Sequence, residues 1–442
     1  MEFVEKFRET LKIPTFWPKD AQDDDAEAVL LRFQEFIVEK FPAFHKAAER
    51  WVLNPYSVIY RLQGDGNRSQ DEAVLFLAHY DVVPAEAGKW STDPFGAELK
   101  DGFVYGRGSL DMKHTLICIL EAAENLCLGG WKPGQDIWFA FGGDEERGGL
   151  LGAAEAVRWF TQRGQRFAWV LDEGGSVADG KIEWVDSLLA LVSTEEKGYL
   201  SLNLAVEQKP GHAAMSPKVQ AAAVLGRALF RLSKKSFPLR LNPAAQTFFR
   251  QISCFVPGIR GFAMRHAHAL GPLFFIAVTG NPGIQSLLRT TVAMTMLTGS
   301  TAANVMPSQV NAVVNLRLLW PWTVETATDF VRKAISDKRI KVSVCGPASD
   351  PVAAGGDYLK NGWPEICSAL KDVWPGVPVL PFIMIATTDS RHFSKLAGSI
   401  FRFSPFRLNP KEHGGVHGND ERISLENLER GLAFYSKLMT LL

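Results

Sequence analysis

The chain has 442 residues, of which 46% are hydrophobic and 22% are charged, and its formal net charge is zero. A chain of this length exceeds what one hydrophobic core normally serves, so we expect two domains. The balanced charge argues against a nucleic-acid-binding protein, because such proteins carry an excess of lysine and arginine that neutralises phosphates.

Three short apolar runs in the first half of the chain predict strands of a buried parallel sheet. They cover residues 73–78, 136–141 and 167–171, and polar or glycine residues follow each run directly. Uninterrupted apolar runs between turn residues are typical of parallel strands that are buried on both faces. Open α/β sheets bind their ligands at the carboxyl ends of such strands, so the residues after the runs are candidate site residues.

Five candidate metal ligands lie along the chain, after these runs or after turns: His79, Asp111, Glu146, Asp172 and His417. Imidazole and carboxylate groups suit zinc and neighbouring metals. Asp111 is the predicted bridge between two ions, which lie roughly 3.5 to 4 Å apart in two-metal enzymes. Any one of these residues alone would more often be a turn or cap residue, but together they predict a two-metal hydrolase.

Two more acidic residues have predicted roles beside the ligands. Neighbouring residues that leave a strand point in opposite directions, so Glu146 can bind a metal while Glu145 faces the attacking water. Glu145 would then be the general base that takes a proton from the water and later delivers it to the leaving amine. Asp81 is the predicted partner of the second ring nitrogen of His79, whose tautomer it would fix. The alternatives are a solvated acidic loop over 144–147 and an ordinary turn at Asp81.

The apolar pattern changes from continuous runs to alternation near residue 193, which predicts an inserted domain. We divide the chain into a catalytic domain, formed by 1–193 and 350–442, and a lid over 194–349. The predicted fold class is α/β, with a mostly parallel central sheet flanked by helices and interrupted by a smaller α+β lid domain. The predicted lid elements are a strand over 200–206, a helix after Pro217, a strand over 310–318, a helix after Thr323 and a strand over 341–344.

The segment 241–297 is the least regular part of the predicted lid. Phenylalanine and other apolar residues dominate it and prolines interrupt it, so we expect an apolar helical insertion. One interpretation is that it shapes a pocket for a fatty or aromatic acyl group. The other is a pair of helices that pack on the lid or form a dimer interface.

These motifs resemble the dinuclear zinc amidohydrolases that include aminoacylase, carboxypeptidase S, carnosinase and glutamate carboxypeptidase. The matching segments follow the family's order along almost the whole chain, and they are most similar to the branch of carboxypeptidase S and the N-acyl-amino-acid hydrolases. The segments are 77–84, 90–95, 106–113, 142–149, 171–175, 211–212, 304–307 and 417–421.

The resemblance implies a ligand set for two Zn²⁺ ions, with Co²⁺ or Mn²⁺ as substitutes. One ion would be held by His79 and Asp172, the other by Glu146 and His417, and both by Asp111, with Glu145 as the base. Family members place either Asp or Glu at the ligand position that falls on residues 172 and 173. We prefer Asp172 because it directly follows the apolar run.

The resemblance also implies substrate contacts from the lid. His212 matches the family histidine that stabilises the oxyanion, commonly across a homodimer made through the lid (dimerisation) domain. Asn304 resembles the substrate-binding asparagine of the family lid. Arg391 is predicted to bind a substrate carboxylate, because its planar guanidinium matches that geometry. The alternatives are a loop histidine, a turn cap and an ordinary surface arginine.

The predicted protein is a zinc-dependent carboxypeptidase or aminoacylase-type amidohydrolase. It would cleave the amide bond of N-acyl amino acids, or release C-terminal residues from small peptides, with a metal-activated bridging water and Glu145 as base and acid. Two alternatives stay open. One is a metal-dependent hydrolase of an ester or cyclic amide on the same scaffold, and the other is a non-catalytic small-ligand binding protein.

The expected compartment is the cytoplasm. The five cysteines show no paired spacing, which is typical of reduced thiols. The amino terminus has early acidic residues and no apolar stretch, so we expect no secretory signal. No apolar run approaches the roughly 20 residues that span a bilayer, so we also expect no transmembrane segment.

Overall fold

The strands form one eight-stranded sheet, one four-stranded sheet and two smaller sheets. The structure is a computed structural model that describes residues 2–17, 23–66, 72–180, 182, 184–278, 280–355 and 358–442. In chain order the strands are β1 (Glu49–Asn54), β2 (Ser57–Leu62), β3 (Val74–His79), β4 (Leu99–Lys100), β5 (Phe103–Tyr105), β6 (Ile137–Gly142), β7 (Phe167–Ala178), β8 (Leu189–Glu196), β9 (Gly198–Glu207), β10 (Gly211–His212), β11 (Thr291–Thr298), β12 (Val305–Met306), β13 (Gln309–Leu318), β14 (Lys341–Val344), β15 (Val379–Met384), β16 (Ala397–Leu408) and β17 (Arg422–Ser424).

Helices cover both faces of the eight-stranded sheet and one face of the four-stranded sheet. Asn242, Thr323 and Ser424 fix three helix starts, because each side chain accepts a hydrogen bond from a backbone N–H of the first turn. None of the helices in the described part of the chain is long and apolar enough to cross a bilayer. In chain order they are α1 (Glu2–Leu11), α2 (Asp23–Lys40), α3 (Pro42–Ala47), α4 (Lys113–Leu128), α5 (Ala153–Gln162), α6 (Ala221–Ser233), α7 (Pro243–Ile252), α8 (Gly258–Arg265), α9 (Ala267–Leu270), α10 (Pro272–Val278), α11 (Pro282–Leu288), α12 (Val324–Ile335), α13 (Trp363–Val373), α14 (Pro410–His413) and α15 (Leu425–Thr440).

The eight-stranded sheet is the scaffold of the larger unit. Its strand order is β1-β2-β6-β3-β7-β16-β8-β15. β3 runs parallel to β6 and β7, β7 to β16, and β8 to β15. Every residue of β3 and β6 is buried, because α4 and α15 cover one face and α5 covers the other. This architecture confirms the predicted α/β class with its mostly parallel central sheet flanked by helices.

The four-stranded sheet belongs to the smaller unit, the lid. Its order β11-β13-β9-β14 is antiparallel throughout. α6 and α12 cover one face, and the residues of β13 alternate in burial, as expected for a sheet with one covered face. The predicted lid strands and helices are all present. β8, however, stays in the large sheet until Glu196, so the lid begins after that residue rather than after 193.

Two chain segments join the lid to the larger unit, and they pair with each other. One antiparallel bridge links Glu196 with Val352, and another links Tyr199 with Ser349. The backbone N–H of Tyr199 donates to Ser349 O at 3.0 Å, and the N–H of Ser349 donates to Tyr199 O at 2.8 Å. The first and last segments of the lid therefore form a short two-stranded ribbon rather than two separate linkers.

The predicted helical insertion over 241–297 differs from the structure in its extent. Helices α7 to α11 end at Leu288, and the following residues form β11, an edge strand of the lid sheet. Most residues of β11 are exposed, so they carry no burial pattern that would predict a strand. The helices pack mainly against β8 and β15 of the large sheet; the rings of Phe248 and Phe382, for example, lie 5.2 Å apart.

Candidate active site

The carboxyl ends of three neighbouring strands meet at one edge of the large sheet. His79 is the last residue of β3, Glu145 and Glu146 form a short turn after β6, and Glu173 lies on β7. Because β3 runs parallel to both β6 and β7, these side chains come from the same edge of the sheet.

Two groups of three possible donor side chains collect at this edge. Asp111, in the turn before α4, joins them: its Oδ1 lies 3.0 Å from His79 Nε2 and its Oδ2 lies 2.9 Å from His417 Nε2. The structure thus brings four of the five predicted ligands together, with Asp111 in the central position. The groups are His79, Glu145 and Glu173, and Asp111, Glu146 and His417; the donor atoms of each group lie within 4.8 Å of one another.

Glu173, rather than Asp172, occupies the position beside His79. Its Oε1 lies 3.4 Å from His79 Nε2. The Asp172 carboxylate instead accepts hydrogen bonds from the backbone N–H groups of Ser390, at 2.7 Å, and of Glu173, at 2.9 Å. β7 does not end with the apolar run but continues to Ala178, and successive side chains of a strand point to opposite faces. The structure therefore disagrees with our preference for Asp172.

Asp81 is fully buried and contacts both halves of the site. Its Oδ1 lies 3.4 Å from His79 Nδ1, and its backbone carbonyl oxygen lies 3.0 Å from the same nitrogen. Its carboxylate also accepts the backbone N–H groups of Glu145 and Glu146, both at 3.1 Å. Asp81 therefore orients the imidazole so that Nε2 faces the other donors, and it holds the turn that carries the two glutamates.

A buried ion pair, which the sequence analysis missed, connects the Asp111 turn with the His417 loop. Glu421 is fully buried and accepts the backbone N–H of Leu110 at 2.6 Å and of Asp111 at 3.2 Å. Arg107 Nη1 lies 2.5 Å from the same carboxylate, and Arg107 Nη2 donates to Gly418 O at 3.0 Å. The only signal in the sequence was the place of Glu421 at the end of the 417–421 motif.

Four carboxylates and two imidazoles make this small volume strongly acidic. Burial raises the pKa of Glu145 and Glu146, and it raises the pKa of Glu173 to about 8. Hydrogen bonds to Asp111 and Glu146 raise the pKa of His417 to about 10. Among the described residues, the carboxylates pair with these histidines and with no lysine or arginine. A pair of divalent cations would offset the negative charge, and the nitrogen and oxygen donors suit zinc, cobalt and manganese.

The two groups open onto a cleft of about 920 Å³ between the large sheet and the lid. Glu145 and His417 line it from the sheet, Tyr199 and Arg317 line it from the lid, and residues 347–353 of the connecting segment complete a wall. The volume lies within the range of about 300 to 1,000 Å³ that small-molecule sites occupy. The cleft can therefore hold a substrate the size of an acylated amino acid.

His212 and Asn304 are neighbours in the lid but do not line this cleft. β10 pairs with β12 so that His212 lies opposite Val305, and Ala213 donates its N–H to Asn304 O at 3.0 Å. Both residues are exposed. His212 Nδ1 accepts the backbone N–H of Ala214 at 3.1 Å. Within one chain, therefore, the structure brings these two residues together but not to the donor groups.

Two arginines line the cleft, and they differ in their partners. Arg391 donates from Nη1 to Thr388 O at 2.8 Å and from Nη2 to Gly148 O at 2.7 Å, so its guanidinium is engaged by the protein itself. Arg317, on β13, lies over the ring of Tyr199 at 4.7 Å and makes no hydrogen bond or salt bridge to another described residue. The sequence analysis singled out Arg391 and did not consider Arg317, which is a single basic residue in an alternating strand.

The comparisons with known proteins agree with this geometry. Residues 75–441 match the protein family described as Peptidase family M20/M25/M40. The N-fatty-acyl-amino acid synthase/hydrolase PM20D1 of Xenopus tropicalis is 34% identical over 441 residues, which cover 99% of this chain and 85% of that protein. The probable carboxypeptidase S-like 2 of Dictyostelium discoideum is 32% identical over 437 residues, which cover 97% of this chain and 82% of that protein.

A solved structure shows the same fold over its whole length. The M20 family metallo-carboxypeptidase Sso-CP2 from Sulfolobus solfataricus superposes with a TM-score of 0.73 and 16% identity, covering 100% of this chain and 99% of that chain. Together these matches confirm the resemblance read from the motifs, including its carboxypeptidase S and N-acyl-amino-acid hydrolase branch. They also confirm the predicted class of metal-dependent amidohydrolase.

Proposed function

The chain belongs to the peptidase family M20/M25/M40, and we propose that this enzyme hydrolyses the amide bond of N-acyl amino acids. One observation carries the proposal: two donor groups joined through Asp111 open onto a cleft that also contains Arg317, which makes no hydrogen bond or salt bridge to another described residue. The names of the two relatives support acylated amino acids and peptide C-termini as the substrate classes.

We propose zinc as the metal, with cobalt or manganese as substitutes. His79 and Glu173 would hold one ion, Glu146 and His417 the other, and Asp111 both. Glu173 thus replaces Asp172 in the ligand set. Two ions bound there would act as Lewis acids toward the scissile carbonyl and would lower the pKa of the attacking water.

Glu145 is the proposed general base. It lines the cleft, and burial raises its pKa, so its carboxylate is a stronger base than that of an exposed glutamate. It would take a proton from the attacking water and pass this proton to the leaving nitrogen, which returns the enzyme to its starting protonation state. Asp81 would position this residue through the backbone N–H that it accepts.

The substitution Glu145→Gln tests this role, because it keeps the shape of the side chain and removes the base. We expect kcat to fall by about 10²- to 10⁴-fold, with the metal content unchanged. The control is Glu155→Gln, at a glutamate whose partner Arg158 is exposed on the surface of α5. Near-normal activity of Glu145→Gln with its metals in place would rule out the assignment.

Arg317 is the proposed partner of the substrate carboxylate, in place of Arg391. Its guanidinium lies in the cleft over the ring of Tyr199 and makes no hydrogen bond or salt bridge to another described residue, whereas that of Arg391 donates to Gly148 in the turn after the two glutamates. A free carboxylate on the released amino acid would form a bidentate, charge-assisted pair with it.

The substitution Arg317→Gln should therefore weaken the binding of substrates that have a free carboxylate. We expect kcat/KM to fall about 10- to 100-fold for an N-acyl amino acid and to change little for its carboxamide analogue. Equal losses for both substrates would show that Arg317 supports the fold of the cleft rather than the carboxylate.

We propose that the enzyme is a homodimer formed through the lid. β11 is an edge strand of the lid sheet and exposes Met296 and Leu297, and an unpaired apolar edge favours pairing with a second chain. In such a dimer the exposed His212 and Asn304 could reach the partner's cleft, where His212 would stabilise the oxyanion. The molecular mass in solution tests this arrangement.

The whole proposal is tested by elemental analysis of the purified protein, together with hydrolysis before and after chelation. We expect close to two metals per chain and chelator-sensitive cleavage of N-acyl amino acids. A panel that includes esters, cyclic amides and dipeptides separates the alternative substrates. The cytoplasm remains the proposed compartment, which the five unpaired cysteines support.

A further inference from the structure

A second cavity, of about 420 Å³, lies between the large sheet and the inserted helices. Apolar side chains of α7, α8 and α11, such as Phe248, Met264 and Leu287, face Leu191 and Phe382 of the sheet across it. On the basis of the function proposed above, we propose that this acyl cavity binds the hydrocarbon chain of a long-chain N-acyl amino acid.

The acyl cavity adjoins the catalytic cleft. Ala386, in the turn after β15, lines both, and the same cleft is lined by Glu145 and His417. The acyl cavity is also lined by Gly174, the residue directly after Glu173. A substrate whose scissile carbonyl lies at the donor groups can therefore extend its chain past Ala386 into the acyl cavity.

The absence of a side chain at Gly174 helps to keep this passage open. A Cβ atom there would lie 3.0 Å from the sulfur of Met384, which also lines the acyl cavity. Its φ of 137° is also one that other residues rarely adopt. The flexible side chains of Met384 and Met264 can adjust to chains of different shape.

The size of the acyl cavity indicates the class of chain. An engineered cavity of about 150 Å³ with a lining of Leu, Ile and Phe binds one benzene molecule and otherwise stays dry. A cavity almost three times larger has room for a chain on the order of 16 carbon atoms. Because its walls are apolar, each methylene that enters should improve binding, by about threefold to fourfold.

The helices that form the outer wall are fixed to the catalytic sheet. The ring of Phe248 packs on Phe382 of β15 at 5.2 Å, and Lys197, directly after β8, donates to the carbonyl oxygens of Ser286 and Arg289, both at 2.9 Å. The insertion therefore supplies a formed wall to the acyl cavity, which favours the acyl-pocket interpretation of this segment over a pair of helices packed on the lid.

A chain-length series tests the proposal with the full-length enzyme loaded with metal. One amino acid would carry acetyl, hexanoyl, decanoyl, myristoyl and palmitoyl groups, each below its micelle concentration. We expect kcat/KM to rise about threefold to fourfold per methylene until the acyl cavity is full. If acetyl and short-chain substrates are cleaved but longer chains give no gain, the hydrolase function stands and the acyl cavity proposal fails.

Two substitutions locate the effect. Ile284→Trp and Gly283→Trp add bulk to the wall of the acyl cavity, the second at an exposed position. We expect each to lower kcat/KM for the palmitoyl substrate about 10- to 100-fold and to shorten the preferred chain. Ile259→Trp is the matched control, because Ile259 lies in the same insertion and is 84% exposed. Chain-length profiles that match the wild type in both wall variants would overturn the proposal.

Binding of palmitate separates this proposal from the proposed reaction. Displacement of a fluorescent fatty acid should show tight binding to the wild type and to Ile259→Trp, and weak binding to the wall variants. If no amide is cleaved but palmitate binds in this pattern, the acyl cavity proposal stands and the hydrolase function fails. Equal palmitate binding by all variants would place the chain elsewhere and overturn the proposal.

Discussion

The two groups of donor side chains reach the same cleft by different means. His79 is 1% exposed at the end of the buried strand β3, and Glu173 lies within β7. His417 is 51% exposed and comes from a loop, where its φ of 58° lies in the left-handed region that residues other than glycine rarely adopt. The first group is positioned by the sheet, whereas the second depends on contacts that hold a strained loop.

This difference shows that one site can combine side chains positioned by a sheet with side chains positioned by an ion pair between loops. For the first group, hydrogen bonding along the sheet fixes the backbone, and Asp81 then sets the ring of His79. For the second group, the Glu421–Arg107 pair ties the loop to the Asp111 turn. We therefore expect substitutions to affect the two groups separately, except at Asp111 and Asp81, which contact members of both groups.

The largest effect is expected for Asp111→Ala, which should weaken metal binding at both donor groups. Removal of the shared carboxylate leaves both ions without a ligand, so metal content should fall from two per chain toward zero. Activity should fall by about 10⁴-fold or more. Elemental analysis after dialysis measures the first quantity. Retention of one tightly held metal would show that the groups bind independently and that Asp111 is not the bridge.

The next largest effect is expected in the first group, where the adjacent residues Glu173 and Asp172 can be compared by metal content and activity. Glu173→Gln should remove one metal and lower activity about 100-fold or more, because it replaces a ligand. Asp172→Asn should keep both metals and lose less than about tenfold in activity, since Asp172 binds backbone N–H groups. The reverse result, with metal lost only from Asp172→Asn, would restore the assignment made from the sequence.

A smaller effect is expected for Glu421→Gln, which should act mainly on the second group. The loss of charge weakens the contacts to Arg107 and to the backbone of the Asp111 turn, so affinity for the ion beside His417 should fall about 10- to 100-fold. Asp420→Asn is the control, because the neighbouring Asp420 contacts only Ser91 among the described residues. Competition with a chelator measures the affinity, and equal values for both variants would contradict the role of the pair.

The smallest effect is expected on the free energy of unfolding of the metal-free protein, when either His79 or His417 is replaced. His79→Ala removes a buried, hydrogen-bonded ring and should lower the free energy of unfolding by about 1 to 3 kcal/mol. His417→Ala should lower it less, because half of that side chain is exposed and solvent screens its contacts with Asp111 and Glu146. Urea unfolding in the presence of a chelator measures both. Similar losses would mean that the loop is as firmly built into the fold as the strand.

The parts of the fold that follow local patterns were predictable from the sequence. The apolar run over 73–78 predicts a strand, and β3 covers Val74–His79, because a strand buried on both faces requires apolar residues throughout. The alternation on β9 and the cap at Thr323 likewise mark the lid strand and helix that the structure contains. The exposed β11 carried no such pattern and was missed.

The differences between the predicted site and the structure have a common cause, which is that side-chain direction depends on distant contacts. β7 continues beyond its apolar run because it pairs with β16 as far as Ala178, and this pairing turns Asp172 away from His79. Arg391 donates a hydrogen bond to Gly148, which lies far away in the sequence, whereas Arg317 lies over the ring of Tyr199 and makes no hydrogen bond or salt bridge to another described residue. No local pattern distinguishes these residues from their neighbours.

The ribbon that joins the lid to the large sheet bears on how the enzyme recognises its substrate. Its two segments are paired at Glu196 and Tyr199, and the inserted helices also pack on β8 and β15, so the lid is held to the large sheet at two places. Arg317 lies on the lid strand β13, whereas Asp111 lies beside the large sheet. If Arg317 binds the substrate carboxylate as proposed, its distance from the metal ligands sets the length of the amino acid that fits, and these two attachments fix that distance.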